Sequence, residues 1–188
     1  ADVELNYWHQ DSTFESSEQG SESNLFGSVS FEHVIPIVPN ARYAFSNIDN
    51  DAFKYTKHDA TLYYEFLDND LVSIDAGIGI TQISSGKIDN QLLSSIEFDG
   101  VLPHAYIGAE VGIPMTGLTV YTDVLSTVFK DSSLTDATIG LRYDISLVAV
   151  EIGLQAGYKV VEFDMDDFDA LSFNMETDGF FAGINLDF

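Results

Sequence analysis

Apolar and polar residues alternate one by one along most of this chain. The clearest stretch is "LVAVEIGLQAGYKVVEF" (147–163), in which the even positions from Val148 to Val160 are apolar and the odd positions are mostly small or polar. Side chains two residues apart share one face of a β-strand, so this period predicts a strand and not a helix. The run exceeds the roughly 5–6 residues of an ordinary strand. A barrel strand needs about 9–11 residues to cross a membrane, and this run is long enough.

The same alternation predicts about ten strands. It is clear in 72–81, 104–113, 137–145 and 173–188, and weaker in 2–10, 24–35, 41–48, 54–67 and 118–128. Short connections ("PIVPN", "LDND", "PMTG" and "DIS") carry residues that favour turns. They alternate with long polar segments such as "STFESSEQGSES", "SSGKIDNQLLSSIEFDG" and "DMDDFDALSFNM". An even strand number with short turns at one end and long loops at the other is typical of bacterial outer-membrane barrels.

The predicted fold is therefore all-β: a single antiparallel up-and-down transmembrane β-barrel spanning residues 1–188, with about ten strands, eight being possible. We expect short turns and both termini on the periplasmic side, and long acidic loops on the extracellular side. A soluble up-and-down barrel is the alternative, because alternation alone does not show which face is inside. The glycines favour the membrane barrel, since a polar face of glycines and single charges fits a narrow lumen. Eight of the 14 glycines lie on that face: Gly77, Gly79, Gly108, Gly112, Gly140, Gly153, Gly157 and Gly183.

Aromatic residues on the apolar face are expected to form girdles at the two membrane interfaces. They are Tyr7, Tyr43, Phe45, Tyr64, Phe66, Tyr143, Tyr158 and Phe163. Phe188 closes the last predicted strand. Outer-membrane barrels typically end on such a residue, so Phe188 is expected to act as an assembly signal.

Composition and charge narrow the function classes. Seven Lys and Arg stand against 31 Asp and Glu, for a formal net charge of -24. Nothing in such a chain could neutralise a run of phosphates, which argues against nucleic acid. A hydrophobic fraction of 45% argues against a disordered acidic tail. Cys is absent, which excludes disulfides and Cys-bound metals. No apolar run is long enough for a transmembrane helix, and a signal peptide is expected to have been cleaved before Ala1.

Several stretches also resemble one family. They occur in the order "FEHVIPIVPNARYAF", "LYYEFLDNDLVSIDAGIGIT", "LPHAYIGAEVGIPMTGLTV", "LTDATIGLRYD", "IGLQAGYK" and "GFFAGINLDF", and cover most of the chain from Phe31 onward. In these the chain resembles the small Gram-negative outer-membrane proteins labelled "outer membrane protein, GlyGly type". The resemblance implies an outer-membrane barrel made with a signal peptide. It implies no known activity and no site residues.

Charged residues on the polar face are expected to point into the lumen. They are Glu4, Glu32, Arg42, Lys57, Asp59, Glu65, Asp75, Glu110, Asp123, Arg142, Glu151 and Lys159. They could line a pathway that selects solutes, or they could pair with one another and plug the barrel. Buried charge is tolerated only when it is paired, and a barrel of eight to ten strands has room for little more than side chains. Both arguments favour the plug, with the two arginines as partners of inward carboxylates.

The predicted loops carry 17 of the 31 acidic residues, Asp136 among them. The run "DMDDFD" makes Asp164, Asp166, Asp167 and Asp169 weak candidates for a metal site, although the spacing of an EF-hand is missing. A solvated acidic rim is the simpler interpretation. Divalent cations are expected to bind it weakly and to link it to surface phosphates.

Sequence motifs give little support for an enzyme. The four histidines, His9, His33, His58 and His104, fit no Ser-His-Asp arrangement, and there is no phosphate loop or zinc pattern. The sequence therefore predicts a non-enzymatic barrel of the bacterial outer membrane, with a plugged lumen and no cofactor, that serves envelope structure or surface interaction. A narrow channel for small or apolar solutes is the alternative, and an envelope hydrolase or lipid-modifying enzyme comes last. The expected partners are outer-membrane lipid, lipopolysaccharide and the barrel-assembly machinery.

Overall fold

Ten β-strands make up the fold. The structure is a computed structural model that describes residues 1–33, 35, 37–69, 71–90, 93–129, 132–168 and 171–188, with the backbone alone for Gln19 and residues 89–90, 93–98, 128–129, 165–168 and 171–172. The strands are β1 (Asp2–Phe14), β2 (Ser17–Phe31), β3 (Asn40–Asp49), β4 (Phe53–Asp68), β5 (Val72–Asn90), β6 (Leu93–Ile113), β7 (Leu118–Phe129), β8 (Ser132–Ser146), β9 (Glu151–Phe168) and β10 (Leu171–Asp187). None of the described residues belongs to a helix that is long and apolar enough to cross a membrane.

Each strand pairs antiparallel with its neighbours in sequence, and β1 pairs with β10 to close the barrel. The closing register places Val3 opposite Leu186 and Tyr7 opposite Ala182. At its end the Ala1 amine donates to the Phe188 carbonyl at 3.0 Å, and the Phe188 N–H donates to the Ala1 carbonyl at 2.9 Å. The prediction of an all-β antiparallel barrel is confirmed, with ten strands and not eight.

The segments that were expected to be long acidic loops are mostly strand, so that prediction is wrong. A two-residue turn of Glu15 and Ser16, with φ of 49° and 66°, joins β1 to β2. β5 and β9 continue to Asn90 and Phe168, and β6 has 21 residues. Apart from β3, which has 10 residues, the strands are therefore longer than the about 9–11 residues that a membrane crossing requires. The connections at the other end are short as well, for example 114–117 and 147–150.

The strands continue because the alternation of apolar and polar residues does not stop. Instead, the apolar residues move from the outward face of the strand to the inward face. In β9 the outward positions change from apolar Leu154 to acidic Glu162, while the inward positions change from polar Gln155 to apolar Phe163. Inward side chains of β9 still alternate with outward ones. Among the acidic residues that suggested loops, most of those whose side chains the structure describes thus lie on outward positions of a continuing strand.

The outer surface consequently has two halves. Around the end that holds the chain termini, exposed apolar side chains form a continuous band, which we call the apolar band. It includes Leu5, Tyr7, Val29, Tyr43, Leu62, Tyr64, Ile78, Ile80, Ile107, Val124, Ile139, Leu141, Tyr143, Leu154, Phe180 and Ile184. Beyond it the outward positions are polar, and we call that part the polar half. An exposed apolar surface of this extent is far larger than the patches of soluble monomers.

Candidate functional site: the barrel interior

Four charged side chains meet near the middle of the barrel and form what we call the ion-pair layer. Lys57 and Asp59 come from β4, Asp136 from β8 and Lys159 from β9. The Lys57 ammonium lies 2.8 Å from Asp136 and also contacts Asp59, while Lys159 donates to Asp136. Lys57 is 1% exposed. Two positive and two negative charges therefore balance one another out of contact with water, as buried charge requires.

Neutral side chains complete this layer. The Thr81 hydroxyl donates to Asp59 at 2.7 Å and lies 2.9 Å from Nδ1 of His104, whose Nε2 lies 2.9 Å from the Thr61 hydroxyl. The Lys159 ammonium stands 4.9 Å from the centre of the Phe26 ring. The layer is thus connected to β5, β6 and β2, and it crosses the lumen from wall to wall.

Two arginines lie on the side of this layer that faces the chain termini. Arg142 binds Glu110 with two parallel contacts, Nη1–Oε1 at 3.0 Å and Nη2–Oε2 at 2.7 Å, and its Nε donates to Asp144 at 2.8 Å. Arg42 lies 3.4 Å from Glu4. The fork of a guanidinium suits such paired acceptors. Each arginine is therefore held by a carboxylate on another strand, and Arg142 also by Asp144 of its own strand.

Tyrosines and amides fill the gaps between these ion pairs. The Tyr106 hydroxyl donates to Asp123 at 2.5 Å, below the Arg42 guanidinium. The Gln155 amide donates to Glu4 at 3.1 Å and to Asn6 at 2.8 Å. The space left between this level and the ion-pair layer is a cavity of about 30 Å³, the size of one or two water molecules.

The lumen widens toward the termini into a polar cavity of about 280 Å³, which we call the acidic vestibule. Nine carboxylates and two arginines line it: Asp2, Glu4, Glu32, Glu65, Asp68, Asp75, Glu110, Asp123, Asp187, Arg42 and Arg142. Glu32 follows β2 and accepts a hydrogen bond from Tyr63 at 3.2 Å. Its burial, and next the negative charge of Glu65, raise the pKa of Glu32. Negative charge is thus concentrated at this mouth of the barrel.

The interior of the polar half is an apolar core. Its centre consists of Ile48, Phe53, Tyr55, Ile83, Leu134, Val161, Phe163, Phe173 and Met175. Phe163 is 0% exposed and packs its ring against Phe173 at a centroid distance of 6.3 Å. Phe163 therefore points inward, and its prediction as a girdle residue is wrong. The reversal of polarity described for β9 is the reason.

Most of the twelve charged residues predicted for the lumen lie in these layers. The ion-pair layer holds three of them, and eight line the vestibule: Glu4, Glu32, Arg42, Glu65, Asp75, Glu110, Asp123 and Arg142. The twelfth, Glu151, starts β9 and accepts a hydrogen bond from the Ser146 hydroxyl at 2.6 Å, away from the others. Phe188 is 69% exposed at the edge of the apolar band. Its role as an assembly signal stays a prediction.

Sequence reasoning missed several interior residues. Asp136 was expected in an acidic loop, yet it is the centre of the ion-pair layer at 7% exposure, so that prediction is wrong. The sequence did contain a signal for this position. Asp136 has an even number, like Gly140 and Arg142, which were predicted to lie on the polar, inward face. Tyr106 and Tyr121 could have been found by the same parity rule, since both lie on inward positions of their strands.

The weak metal candidates and the histidines do not form a site. Asp164 lies on an outward, exposed position of β9, and the side chains of Asp166, Asp167 and Asp169 fall outside the described residues. Within the described part of the chain, no three Asp, Glu, His or Cys residues are placed to hold a metal ion. His9 contacts Ser23 and His58 contacts Tyr43, and among the described residues neither ring forms an ion pair with a carboxylate.

Comparisons with known proteins add a likeness of overall shape. No family model and no curated protein matches the chain. The chain is similar in structure to Neisserial surface protein A, at 16% identity over 100% of this chain and 96% of that one, with a TM-score of 0.44. It is also similar to the toluene transporter TodX of Pseudomonas putida, at 6% identity over 98% and 88% of the two chains, with a TM-score of 0.36. A loop-deletion mutant of OmpT, an outer-membrane protein of Vibrio cholerae, matches at 9% identity over 97% of each chain, with a TM-score of 0.29.

Proposed function

We propose that this chain is a non-enzymatic barrel of the bacterial outer membrane, of the GlyGly type, that serves envelope structure or surface interaction with a plugged lumen. The apolar band supports the membrane location. Residues such as Ile78, which is 73% exposed, would otherwise face water around the whole circumference. A closed barrel satisfies every backbone group between strands, which is what a lipid environment demands.

The ion-pair layer carries the proposal of a plug. It crosses the lumen between the acidic vestibule and the apolar core, and its charges are satisfied by one another. The cavity beside it has a volume of about 30 Å³, room for one or two water molecules, and is too small for a solute. Beyond the layer, the apolar core closes the polar half with packed side chains. A hydrated ion would have to displace both.

The proposed orientation follows from the two halves of the surface. We place the termini and the vestibule on the periplasmic side, and the polar half outside the cell, next to lipopolysaccharide. Acidic outward positions on the polar half, such as Glu162 and Asp164, suit weak contact with divalent cations that bridge to lipid phosphates. Calorimetry with calcium on the refolded protein tests this partner, and absence of heat would refute it. Recognition of Phe188 by the assembly machinery is part of the same proposal.

Single-channel recording in planar bilayers tests the plug. Protein refolded in detergent, with its heat-dependent gel shift as the folding control, should insert without steady conductance steps. The matched variant combines Lys57→Ala, Asp59→Ala, Asp136→Ala and Lys159→Ala, which removes the ion-pair layer but keeps the apolar core and should also stay silent. Steady steps from the unmodified protein would refute the plug and favour the alternative, a narrow channel for small or apolar solutes.

A further inference from the structure

Basic residues outside the barrel interior are rare, and two of them lie side by side. Apart from the four that hold interior ion pairs, the chain has only Lys54, Lys87 and Lys130, and Lys130 falls outside the described residues. Lys54 on β4 and Lys87 on β5 stand directly opposite each other across the strands, and we call them the lysine pair. Like charges in that position are destabilising, and an anion bound between them would relieve the repulsion.

A β-bulge in β5 gives Lys87 its outward direction. Before the bulge the inward, buried residues of β5 have odd numbers, such as Ile83, and beyond it they have even numbers, such as Ile88. The register shifts against both neighbouring strands beside Ser85, whose φ is 56°. Bulges of this kind redirect a side chain. Without the bulge, Lys87 would share the inward parity of Ile83 instead of facing outward beside Lys54.

The carboxylates that flank the lysine pair leave its positive charge available. Lys54 is exposed and forms no ion pair within the described part of the chain, although Asp49 lies opposite it on β3. Lys87 lies opposite Glu97 on β6. An ammonium group donates three hydrogen bonds, so Lys87 can serve Glu97 and a further acceptor together. The two ammonium groups thus offer donors to one anion.

The outward positions between the lysine pair and the apolar band hold no carboxylate on β3, β4 and β5. They form two rows across these strands, namely Asn47, Thr56 and Ser84 in one and Phe45, His58 and Gln82 in the other. The opposite wall is acidic. Glu162 faces Glu176 across β9 and β10, and Asp11 faces Asp178 across β1 and β10. An anion is therefore repelled from one wall of the polar half and attracted to the other.

An apolar groove lies on the same strands, within the apolar band. It has a volume of about 700 Å³ and an almost entirely apolar lining. Ala60 stands between Tyr43 and Ile80 of the neighbouring strands, and Ala41 stands beside Leu62. Because alanine is much shorter than these neighbours, the surface dips along the two alanines. The volume falls within the roughly 300–1,000 Å³ of sites for drug-sized ligands, so the groove can hold a hydrocarbon chain.

The groove and the lysine pair are spaced like the two ends of a lipid in one leaflet. Lys54 is eight residues from Leu62 along β4, which corresponds to about 26 Å along the strand and about 20 Å in height at a usual barrel tilt. A bilayer with its headgroups is about 40–45 Å thick, so one leaflet takes about half of that. His58 lies between the two ends, with its Nδ1 2.7 Å from the hydroxyl of Tyr43, which lines the groove.

We propose that the outer face of β3, β4 and β5 binds one lipid with a phosphomonoester headgroup, its chain in the apolar groove and its phosphate between Lys54 and Lys87. Charge complementarity favours this lipid over a second copy of the acidic chain and over an uncharged apolar ligand. The inference rests on the proposed outer-membrane location. It deepens that proposal, because the lysines bind the phosphate directly, without the divalent cation that the acidic positions need.

Native mass spectrometry of the full chain refolded in a neutral detergent tests the site, with EDTA present so that no divalent cation can bridge. Dimyristoyl phosphatidic acid is compared with dimyristoyl phosphatidylcholine, which has the same chains but no net charge. The chain should retain one phosphatidic acid and bind it about tenfold more tightly than phosphatidylcholine, because charge-assisted hydrogen bonds to phosphate are the stronger kind. Equal retention of the two lipids would overturn the proposal.

Lysine variants separate the site from general attraction of an anionic lipid. Lys54→Gln and Lys87→Gln should each weaken phosphatidic acid binding about threefold to tenfold and leave phosphatidylcholine unchanged. The matched control is Lys130→Gln, which removes the same charge from the segment between β7 and β8 and should bind like the parent. Each variant is first checked for folding by the heat-dependent gel shift. An equal loss in all three variants would show attraction by net charge alone and refute the site.

A second pair of variants tests the groove. Ala60→Leu fills it and should weaken binding of phosphatidic acid about threefold to tenfold, since the chain loses apolar contact. Ala156→Leu is the matched control, because Ala156 is an exposed outward residue of β9 within the apolar band. It should leave binding unchanged. Equal binding by the parent and both alanine variants would show that the chain lies elsewhere, and would refute the proposed lipid.

Inorganic phosphate distinguishes a lipid site from a site for the free ion. Added at millimolar concentration, it should displace little phosphatidic acid, because it has no chain to fill the groove. Complete displacement would show that the lysine pair binds phosphate alone, and would overturn the lipid proposal. None of these results bears on conductance or on the cost of a charge in the apolar band. Failure here is therefore distinguishable from failure of the plug or of the membrane location.

Discussion

At the scale of single residues, Asp136 decides whether the ion-pair layer is stable. It accepts contacts from both Lys57 and Lys159, and it is the only described carboxylate in an ion pair with Lys159. A buried ion pair contributes little net free energy compared with an apolar substitute, but removing one partner leaves an uncompensated charge. The layer therefore acts as a unit that tolerates no single loss.

We expect Asp136→Asn to lower the free energy of unfolding by roughly 3–5 kcal/mol, because Lys159 would remain buried without a carboxylate. Urea unfolding of the protein in lipid vesicles, followed by tryptophan fluorescence, measures this. Trp8 is a suitable probe, since the Lys159 ammonium lies 5.7 Å from its ring. Asp51→Asn is the control and should leave the unfolding midpoint unchanged. Equal effects of the two substitutions would contradict the layer.

Glu176 gives a pH-dependent prediction in the polar half. It pairs directly across the strands with Glu162, and like charges in that position are destabilising. Burial, followed by the charges of Asp178 and Glu162, raises the pKa of Glu176. A carboxyl with a raised pKa binds its proton more tightly in the folded state, so the protein gains stability as the pH falls through that pKa.

Glu176→Gln should therefore raise the melting temperature at neutral pH, and the gain should shrink as the pH falls through the raised pKa of Glu176 and vanish below the ordinary pKa of a glutamate. Circular dichroism melts over a pH series measure the difference between the variant and the parent. Glu22→Gln is the control, because residue 22 pairs across the strands with the neutral Gln10. A gain from Glu176→Gln that stays constant with pH would exclude charge repulsion as its cause.

At the scale of elements, each strand carries two environments in succession. β5 presents Ile74, Ile78 and Ile80 to the apolar band, and then Gln82 on the same outward face. In the proposed membrane location, the surroundings along the strand would change from lipid to water within a few residues. The reversal of polarity inside the barrel occurs at about the same level.

Two lysine substitutions on β5 should mark this boundary. Ile78→Lys places a charge in the middle of the apolar band and should cost roughly 2–4 kcal/mol of folding free energy in lipid, as charges do at the bilayer midplane. Gln82→Lys, four residues further on the same face, should cost about 0–1 kcal/mol. Unfolding in vesicles of both variants measures the difference. Equal costs would show that the apolar band does not face lipid.

Strand number, direction and the inward parity could be predicted from sequence because period-two alternation is local. The pairing of Arg142 with an inward carboxylate also follows from parity and charge, but its partner Glu110 is identified only by the structure. The layering could not be predicted in this way. The alternation of β9 continues, but the inward positions become apolar at Val161 and Phe163 and the outward positions become polar. Seen along one strand, that exchange looks like the end of a strand. The environment that makes it favourable, an apolar core from several strands, is a property of the closed barrel alone.

At the scale of the whole molecule, the few basic residues are concentrated inside. Four of the seven Lys and Arg residues, namely Arg42, Lys57, Arg142 and Lys159, hold interior ion pairs. The formal charge of -24 therefore falls mainly on the outer surface and the two mouths. Uncompensated charge of one sign destabilises a compact state by self-repulsion.

Sodium chloride should consequently raise the melting temperature of the parent, since salt at about 0.15 M already screens charges beyond about 8 Å. The interior ion pairs are shielded from salt, so the stability difference between the parent and Asp136→Asn should stay the same at low and high salt. Melts in detergent at several salt concentrations measure both. A parent melting temperature that falls with salt would contradict surface repulsion as the dominant effect.

The polar half also determines how other molecules can recognise this protein. If it projects from the membrane as proposed, eight further residues of a tilted strand correspond to a rigid wall about 20 Å high. On that wall an antibody or a phage fibre would then meet alternate residues of several neighbouring strands. Short synthetic peptides copied from the chain would present the inward Val161 and Phe163 together with the outward Glu162, and would make poor vaccine antigens for the folded surface.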